Sequence, residues 1–250
     1  MILDLSLIIP AYNEAARIGP TLQRIHAYLT SRPASFEILV VDDGSTDDTV
    51  SLVTALAGEL PGLRVLCSPV NRGKGYAVRR GMQAATGRIR VFSDADGSTP
   101  IDELHLLLQE LAAGADIAIG SRYLPASRVT RPQPWLRRAW SRLANQVVQR
   151  VLLPGLADPH CGFKAFTATA ARTFAVCTVD GWSFDLEVLA QARARGLRIR
   201  EVPVRWKNDE RSKARFRQLP REIQHVYRIH QQLRQGERET ATALQTDFGY

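Results

Sequence analysis

The sequence predicts an α/β fold, a mostly parallel sheet flanked by helices, and three observations predict it. Short apolar runs rich in Leu and β-branched residues alternate with helix-length segments through the first half of the chain. The runs are apolar throughout, as in strands covered on both faces, and strands separated by helices imply crossover connections. Capping residues mark the helix starts. The 250 residues suit one such unit with additions.

Leu5 to Pro10, Phe36 to Val41, Leu63 to Cys67, Arg88 to Ser93 and Asp116 to Gly120 read as strands. Glu14 to Leu29, Asp47 to Leu60, Gly75 to Ala85 and Ile101 to Ala113 read as the helices between them. Asn13 precedes the first helix; Ser45 and Thr46 precede the second, with Asp47 and Asp48 in its first turn; Thr99-Pro100 opens the fourth.

The second half has a different character. Ile117 to Ala157 holds seven arginines and no Asp or Glu. Pro125, Pro132 and Pro134 predict a loop, and Trp135 to Leu153 then predicts a helix. A strand at Gly162 to Phe166, a helix around Phe184 to Arg195 and a strand at Arg198 to Val204 follow. Arg215 to Leu233 reads as helical, and Gln235 to Tyr250 as a polar, frayed tail. The organisation expected is a domain over 1–213 and a basic helical extension over 214–250.

Composition narrows the function classes. Hydrophobic residues at 45% and charged residues at 23% exclude a disordered chain. No apolar run reaches the ~18 residues of a membrane span, and no leader peptide is expected at the start. Cys67, Cys161 and Cys177 are odd in number without metal-type spacing, which predicts reduced thiols and a cytoplasmic setting. A net charge of +8 and a pI near 9.9 suit nucleic acid, an anionic membrane face or phosphorylated substrates. With 7% aromatic residues and no aromatic-and-basic module, nucleic-acid binding is the poorest of the three.

The chemistry is expected where parallel strands end at their carboxyl edge. Pro10-Ala11-Tyr12-Asn13-Glu14 follows the first strand, Asp42-Asp43-Gly44-Ser45 the second, and Asp94-Ala95-Asp96-Gly97 the fourth. Asp94 and Asp96, spaced i and i+2, can share a hard cation and leave positions for phosphate oxygens; a helix cap is the plain alternative. Asp42 and Asp43 either contact a ribose or base or form a turn. Asn71-Arg72-Gly73-Lys74-Gly75 matches neither the P-loop nor the dinucleotide fingerprint, yet its basic groups and glycines allow close approach to a diphosphate.

In order, IIPAYNE, VVDDGSTDDT, NRGKG and DADGSTP, then IGSRY, DPHCGFKAF, GWSFDLEVL and EVPVRW with RSK, form a series. It resembles the family 2 glycosyltransferases of GT-A (Rossmann-like) fold. Within them it is most similar to the polyprenyl-phosphate glycosyltransferases of the dolichyl-phosphate β-glucosyltransferase type, over about residues 5 to 213. The resemblance implies that Pro10, Tyr12, Glu14, Asp42 and Asp43 hold the base and ribose of a nucleotide sugar. It implies that Lys74, Asp94, Ala95, Asp96, Trp182, Asp185, Glu187 and Lys213 line the rest of the donor site, with Trp182 equally readable as a core aromatic. Asp94 and Asp96 would bind Mg²⁺ or Mn²⁺; Ser98 stands where mannosyl relatives carry a Gln ligand.

Arg122, Arg137 and Ser141 would bind the acceptor phosphate, while Arg128 and Arg150 read as solvated charges. Asp158 and Arg122 would be catalytic, Asp158 taking a proton or orienting the acceptor and an arginine; a turn before Pro159 is the bland alternative. The reaction implied is inverting transfer of a hexose, glucose from UDP-glucose, to a polyprenyl phosphate. Transfer from GDP-mannose or another UDP-sugar, or to a non-lipid acceptor, is the alternative. Such an acceptor implies a peripheral site on the inner membrane face. Trp135, Leu136, Ala139, Trp140, Leu143, Val147, Val151 and Leu152 form an apolar stripe away from Arg137, Arg138, Ser141, Arg142, Asn145, Gln149 and Arg150. That stripe, and a second one with Phe216, Leu219, Ile223, Val226 and Leu233, either meets an anionic membrane surface or packs on the sheet.

Overall fold

The computed structural model describes residues 3–131, 145–146, 148–208, 226–231 and 233. In chain order the strands are β1 (Leu5–Ala11), β2 (Phe36–Asp42), β3 (Leu63–Cys67), β4 (Ile89–Ser93), β5 (Ile117–Ser121), β6 (Arg128–Arg131), β7 (Phe163–Thr167), β8 (Ile199–Pro203) and β9 (Arg205–Lys207). The longer helices are α1 (Ile18–Thr30), α2 (Thr49–Glu59), α3 (Lys74–Ala84), α4 (Leu104–Ala112) and α5 (Phe184–Ala194).

Among the described residues seven strands form one sheet in the order β3-β2-β1-β4-β7-β5-β8. β1 pairs in parallel with β2 and β4, β2 with β3, and β5 with β8. β7 alone runs against its neighbours, antiparallel to both β4 and β5. The expected mostly parallel sheet is therefore present, with one reversed strand near its middle. Continuous apolar runs become its core: Leu7 to Ile9 and Ile38 to Val41 are fully buried, as strands covered on both faces must be. α3 presses Ala77, Val78 and Met82 onto that core.

The structure corrects several expected boundaries. Asn13 does not cap α1, which begins at Ile18 rather than Glu14. Asn13 adopts φ 53° and accepts from Thr46 N at 2.8 Å, while Ser45 Oγ accepts from Asn13 N at 2.8 Å, so these side chains join the β1 and β2 loops. α2 begins at Thr49, whose N–H donates to Asp47 Oδ1 at 3.0 Å. Thr99-Pro100 leads into a 3₁₀ turn, Ile101–Glu103, with no side-chain cap. The predicted loop after Pro125 contains β6, which pairs with β9 in a separate two-stranded ribbon.

Most of the expected helix from Trp135 lies outside the described residues. At its far end Val148, Leu152 and Leu153 are buried whereas Val151 is 42% exposed, so the core-facing side there is centred one residue off the predicted stripe. Asn145, assigned to the polar face, is buried and donates to the Ala157 carbonyl. In the second stretch Phe216, Leu219 and Ile223 lie outside the described residues; Val226, Ile229 and Leu233 pack on the core. Cys67, Cys161 and Cys177 are unpaired. Burial pushes the Cys161 and Cys177 thiols up to about 12.

A buried carboxylate locks the edge opposite the strand ends discussed below. Glu37, 4% exposed, accepts from Ser6 Oγ at 2.6 Å and from Thr86 N and Oγ1 at 2.8 and 2.9 Å, and it also pairs with Arg64. Burial is the largest single influence on this group and acts upward, but the hydrogen bonds together hold it below the usual range. Its stabilisation is thus complete above the unfolded glutamate value of about 4.3 and is lost as pH falls through the lower folded value. Glu37→Gln should destabilise the protein by about 1.5–3 kcal/mol at pH 7. Urea unfolding should show that gap shrinking as the pH is lowered below about 4.

Candidate functional site

β1, β2, β4 and β5 end at one edge of the sheet, and the reversed β7 begins there. The register pairs Ser93 with Phe163, which sets Asp94 beside Gly162; Asp94 N donates to Gly162 O at 3.1 Å. A methyl group at Gly162 would fall inside the Asp94 carboxylate. The loop entering β7 therefore lies so close to the first acid of the Asp94-Ala95-Asp96 segment that any side chain at residue 162 would force the Asp94 carboxylate to move.

Asp94 carries an ion pair to Lys74, Nζ to Oδ1 at 2.5 Å. Burial is the largest influence on Lys74 and acts downward, but Asp94, Asp185 and Asp96 outweigh it and hold the ammonium above its ordinary value. Lys74 also lies 5.1 Å from the Trp182 ring centroid, and Trp182 is 40% exposed. Trp182 is thus a partly exposed ring beside Lys74 rather than a core aromatic. Beneath it, fully buried Lys164 donates to Asp185 Oδ1 and to the Cys161 carbonyl, both at 2.5 Å. The cluster alternates in sign: Asp94, Lys74, Asp185, Lys164.

Asp96 accepts from Ser98 N at 2.9 Å. Burial, and then the neighbouring Asp94 charge, push its carboxyl above the usual range. Ala95 between the two is buried and contributes backbone only. Asp96 and Ser98 also line a cleft of about 710 Å³ with Arg24, Thr21 and Lys207.

The ends of β1 and β2 form the other side. Tyr12 is 38% exposed beyond Pro10, and Glu14 pairs with Arg17. Asp42 Oδ2 accepts from Gly44 N and Ser45 N, each at 3.1 Å, while its buried Oδ1 has no hydrogen-bond partner among the described residues. Asp43 holds the Arg72-Gly73 backbone, accepting from the two N–H groups at 3.0 and 2.7 Å. Burial pushes Asp43 up against the pull of those two bonds.

On the far side Asp158 is 1% exposed. Arg122 forks onto it, Nε to Oδ2 and Nη2 to Oδ1 both at 2.7 Å, and Arg122 N donates to Oδ2 at 2.9 Å. A simple turn role does not account for three bonds to one carboxylate. Burial opposes the guanidinium's charge, but Asp158 outweighs it and holds Arg122 above its ordinary range. Glu187 differs from the expectation of a donor contact: its buried carboxylate accepts from Thr178 N, Thr178 Oγ1 and Val179 N and so fixes that loop. Arg137, Ser141 and Lys213 lie outside the described residues.

Three residues of the site had no role in the sequence reading: Gly162, Lys164 and Glu201, whose carboxylate accepts from Ala157 N at 2.6 Å and Asp158 N at 2.7 Å. All three sit inside the segments DPHCGFKAF and EVPVRW, which was the available signal. No group of three or more His, Cys, Asp or Glu side chains suited to a metal occurs among the described residues.

The model of the family described as "Glycosyl transferase family 2" matches residues 6–174. The chain is 37% identical over 213 residues to a dolichyl-phosphate beta-glucosyltransferase of Trichomonas vaginalis, covering 80% of this chain and 63% of that protein. It is 38% identical over 225 residues to the dolichyl-phosphate beta-glucosyltransferase of Drosophila melanogaster, covering 84% and 69%. The chain thus spans just under two thirds of the first relative and slightly more of the second. In fold it is similar to glucosyl-3-phosphoglycerate synthase from Mycobacterium tuberculosis in complex with uridine diphosphate, with TM-score 0.68, 23% identity, and 92% and 80% of the two chains covered. The same enzyme with Mn²⁺, uridine diphosphate and phosphoglyceric acid gives 0.69 at 21% identity, with 92% and 78% covered. These likenesses show the GT-A fold.

The buried Lys164–Asp185 pair gives a stability test. Lys164→Met removes the hydrogen-bonded counter-ion of buried Asp185 and should cost about 3–5 kcal/mol. The double variant Lys164→Met with Asp185→Leu should recover most of that loss in urea unfolding, a non-additivity expected only of residues in contact.

Proposed function

Because the chain belongs to glycosyl transferase family 2, we propose that it moves glucose from UDP-glucose onto a polyprenyl phosphate with inversion at the anomeric carbon. The observation that carries the reading is the carboxyl edge, where the like-charged Asp94 and Asp96 stand beside Lys74 and the Arg122–Asp158 fork. The relatives of 37% and 38% identity, both named dolichyl-phosphate beta-glucosyltransferases, support the acceptor class.

Two carboxylates that repel one another, with one already pushed up, fit a hard divalent cation whose other positions go to diphosphate oxygens and water. Asp94 and Asp96 would hold Mg²⁺ or Mn²⁺. When bound, such a cation neutralises charge on the departing nucleoside diphosphate. Lys74 supplies a second positive charge at the same carboxylate, and its neighbour Trp182 gives the hexose an exposed aromatic wall. Asp42 Oδ1 is a buried acceptor with no partner among the described residues. It suits the one imide N–H of uracil better than the two-donor edge of guanine, which supports UDP as the carrier. Pro10, Tyr12, Glu14 and Asp43 complete the nucleoside side, Asp43 by holding the Arg72-Gly73 loop in place.

The acceptor is a phosphate monoester with a second pKa of about 6. It is largely dianionic at pH 7 and is itself the nucleophile. The protein's task is to hold two phosphates together against their repulsion. Arg122 is suited to this, and Asp158, committed to it by three hydrogen bonds, orients the guanidinium rather than removing a proton. Arg137 and Ser141 are proposed to extend the acceptor site. No helix among the described residues is long and apolar enough to cross a membrane. We assign the lipid contact to a peripheral surface on the cytoplasmic face, through the basic, apolar-striped sequence that begins at Trp135 and precedes the core-packed Val148, Leu152 and Leu153.

Purified protein should make a glucolipid, seen by thin-layer chromatography, from UDP-glucose, polyprenyl phosphate and Mg²⁺ or Mn²⁺. GDP-mannose should not substitute. EDTA should abolish the product, and Asp94→Asn should lower kcat at least about a hundredfold, the scale of a lost metal clamp. Full activity in EDTA or with mannose would contradict the proposal. Asp158→Asn should lower kcat while leaving the shape of the pH profile between about 5.5 and 8 intact, a window set by the phosphate value near 6. Loss of the acidic limb would instead identify Asp158 as the base.

A further inference from the structure

We infer that Glu201, on β8, is a positioning residue that acts through Asp158 to set the Arg122 guanidinium, an inference that rests on the role just proposed for Arg122. Among the described residues β8 is the outermost strand on its side of the sheet, and it lies in parallel register with β5, Glu201 facing Ile119. From there the two oxygens of one carboxylate take two successive backbone donors, Oε2 from Ala157 N at 2.6 Å and Oε1 from Asp158 N at 2.7 Å. Two bonds to adjacent amides fix both the place and the tilt of the peptide that precedes the Asp158 side chain. The same segment is held from the other side, where Asn145 Nδ2 donates to the Ala157 carbonyl.

The geometry makes the sequence of contacts directional. Arg122 follows the end of β5 directly, so its backbone is placed by the sheet, and its N–H already meets Asp158 Oδ2 at 2.9 Å. The planar fork then needs Asp158 in one orientation to accept at both Nε and Nη2. Asp158 comes from a turn, and nothing in a turn alone fixes it to a few tenths of an ångström. Glu201 supplies that constraint from the neighbouring strand. The guanidinium is further boxed by the Trp206 and Tyr123 rings, 5.4 and 5.6 Å from their centroids, and Trp206 belongs to β9, which follows β8 after one residue. β8 and its continuation thus hold both the carboxylate behind the arginine and an aromatic ring beside it. Outer partners that orient metal ligands change activity tenfold to a hundredfold when removed, and Glu201 stands in the same relation to the Arg122–Asp158 fork.

Glu201→Gln keeps the size of the side chain but replaces one acceptor with an amide N–H that faces another N–H. Glucosyl transfer by this variant should show kcat lower by about ten- to a hundredfold with the KM for UDP-glucose unchanged within about twofold, because the donor side does not share these bonds. In an Asp158→Asn background the same change should cost less than about threefold further, since the path runs through Asp158. A residue that only supports the fold would lower both variants alike, and full additivity would overturn the inference. A second readout does not depend on the reaction. Phenylglyoxal labelling of Arg122, mapped by peptide mass spectrometry, should be faster in folded Glu201→Gln than in wild type, and an unchanged rate would overturn the positioning role. If wild type makes no glucolipid, the functional reading fails while the labelling result still decides whether Glu201 sets Arg122.

Discussion

The contact between Gly162 and the Asp94 carboxylate is the constraint on which the rest of the site depends. A parallel strand delivers the residues after it to the carboxyl edge; only a reversed strand delivers the residues before it. β7 is that strand, and its pairing of Phe163 with Ser93 places Gly162 against Asp94, the first acid after β4. A single methyl at residue 162 would collide with Asp94. The site is therefore assembled from both ends of the chain's sequence by one strand direction and one missing side chain.

Charge then holds what topology brings together. Asp94, Lys74, Asp185 and Lys164 alternate in sign through the site, and the last pair is fully buried. A buried pair of this kind contributes little net stability compared with apolar packing, while the loss of one partner is costly. Its value here is placement: Lys164 also grips the Cys161 carbonyl and so ties α5 to the loop that touches Asp94. Arg122 and Asp158 repeat the device on the other side, with Glu201 behind them. The groups left with unspent capacity, Asp96 pushed up by its neighbour and the orphaned Asp42 Oδ1, are those proposed to meet metal and base.

Much of this was legible in the residues because it is local. Apolar runs with no alternation announced buried strands, and acids placed directly after such runs announced the carboxyl edge, so Asp42, Asp43, Asp94 and Asp96 stood out by position, and Lys74 by its glycine-flanked basic loop. Strand direction is not local. Nothing in Phe163–Thr167 says that it runs against β4 and β5, so the segment pointed to Gly162 and Lys164 without showing what they touch. β6 and β9 are short and largely exposed, and each exists only through the other, which left β6 looking like a proline-rich loop. Asn13 misled for a related reason: its side chain bonds the β2 loop more than thirty residues away instead of its own helix. Glu187 looked like a site acid, but its hydrogen bonds all go to the Thr178–Val179 backbone and hydroxyl.

The most direct test is calorimetric titration of UDP in the presence of Mn²⁺ into wild-type protein and into Gly162→Ala with unchanged far-ultraviolet dichroism. If the approach of the β7 entry loop to Asp94 builds the metal and diphosphate site, wild type binds UDP and the variant binds at least about tenfold more weakly, ~1.4 kcal/mol. Equal affinity in a folded Gly162→Ala protein would contradict the account.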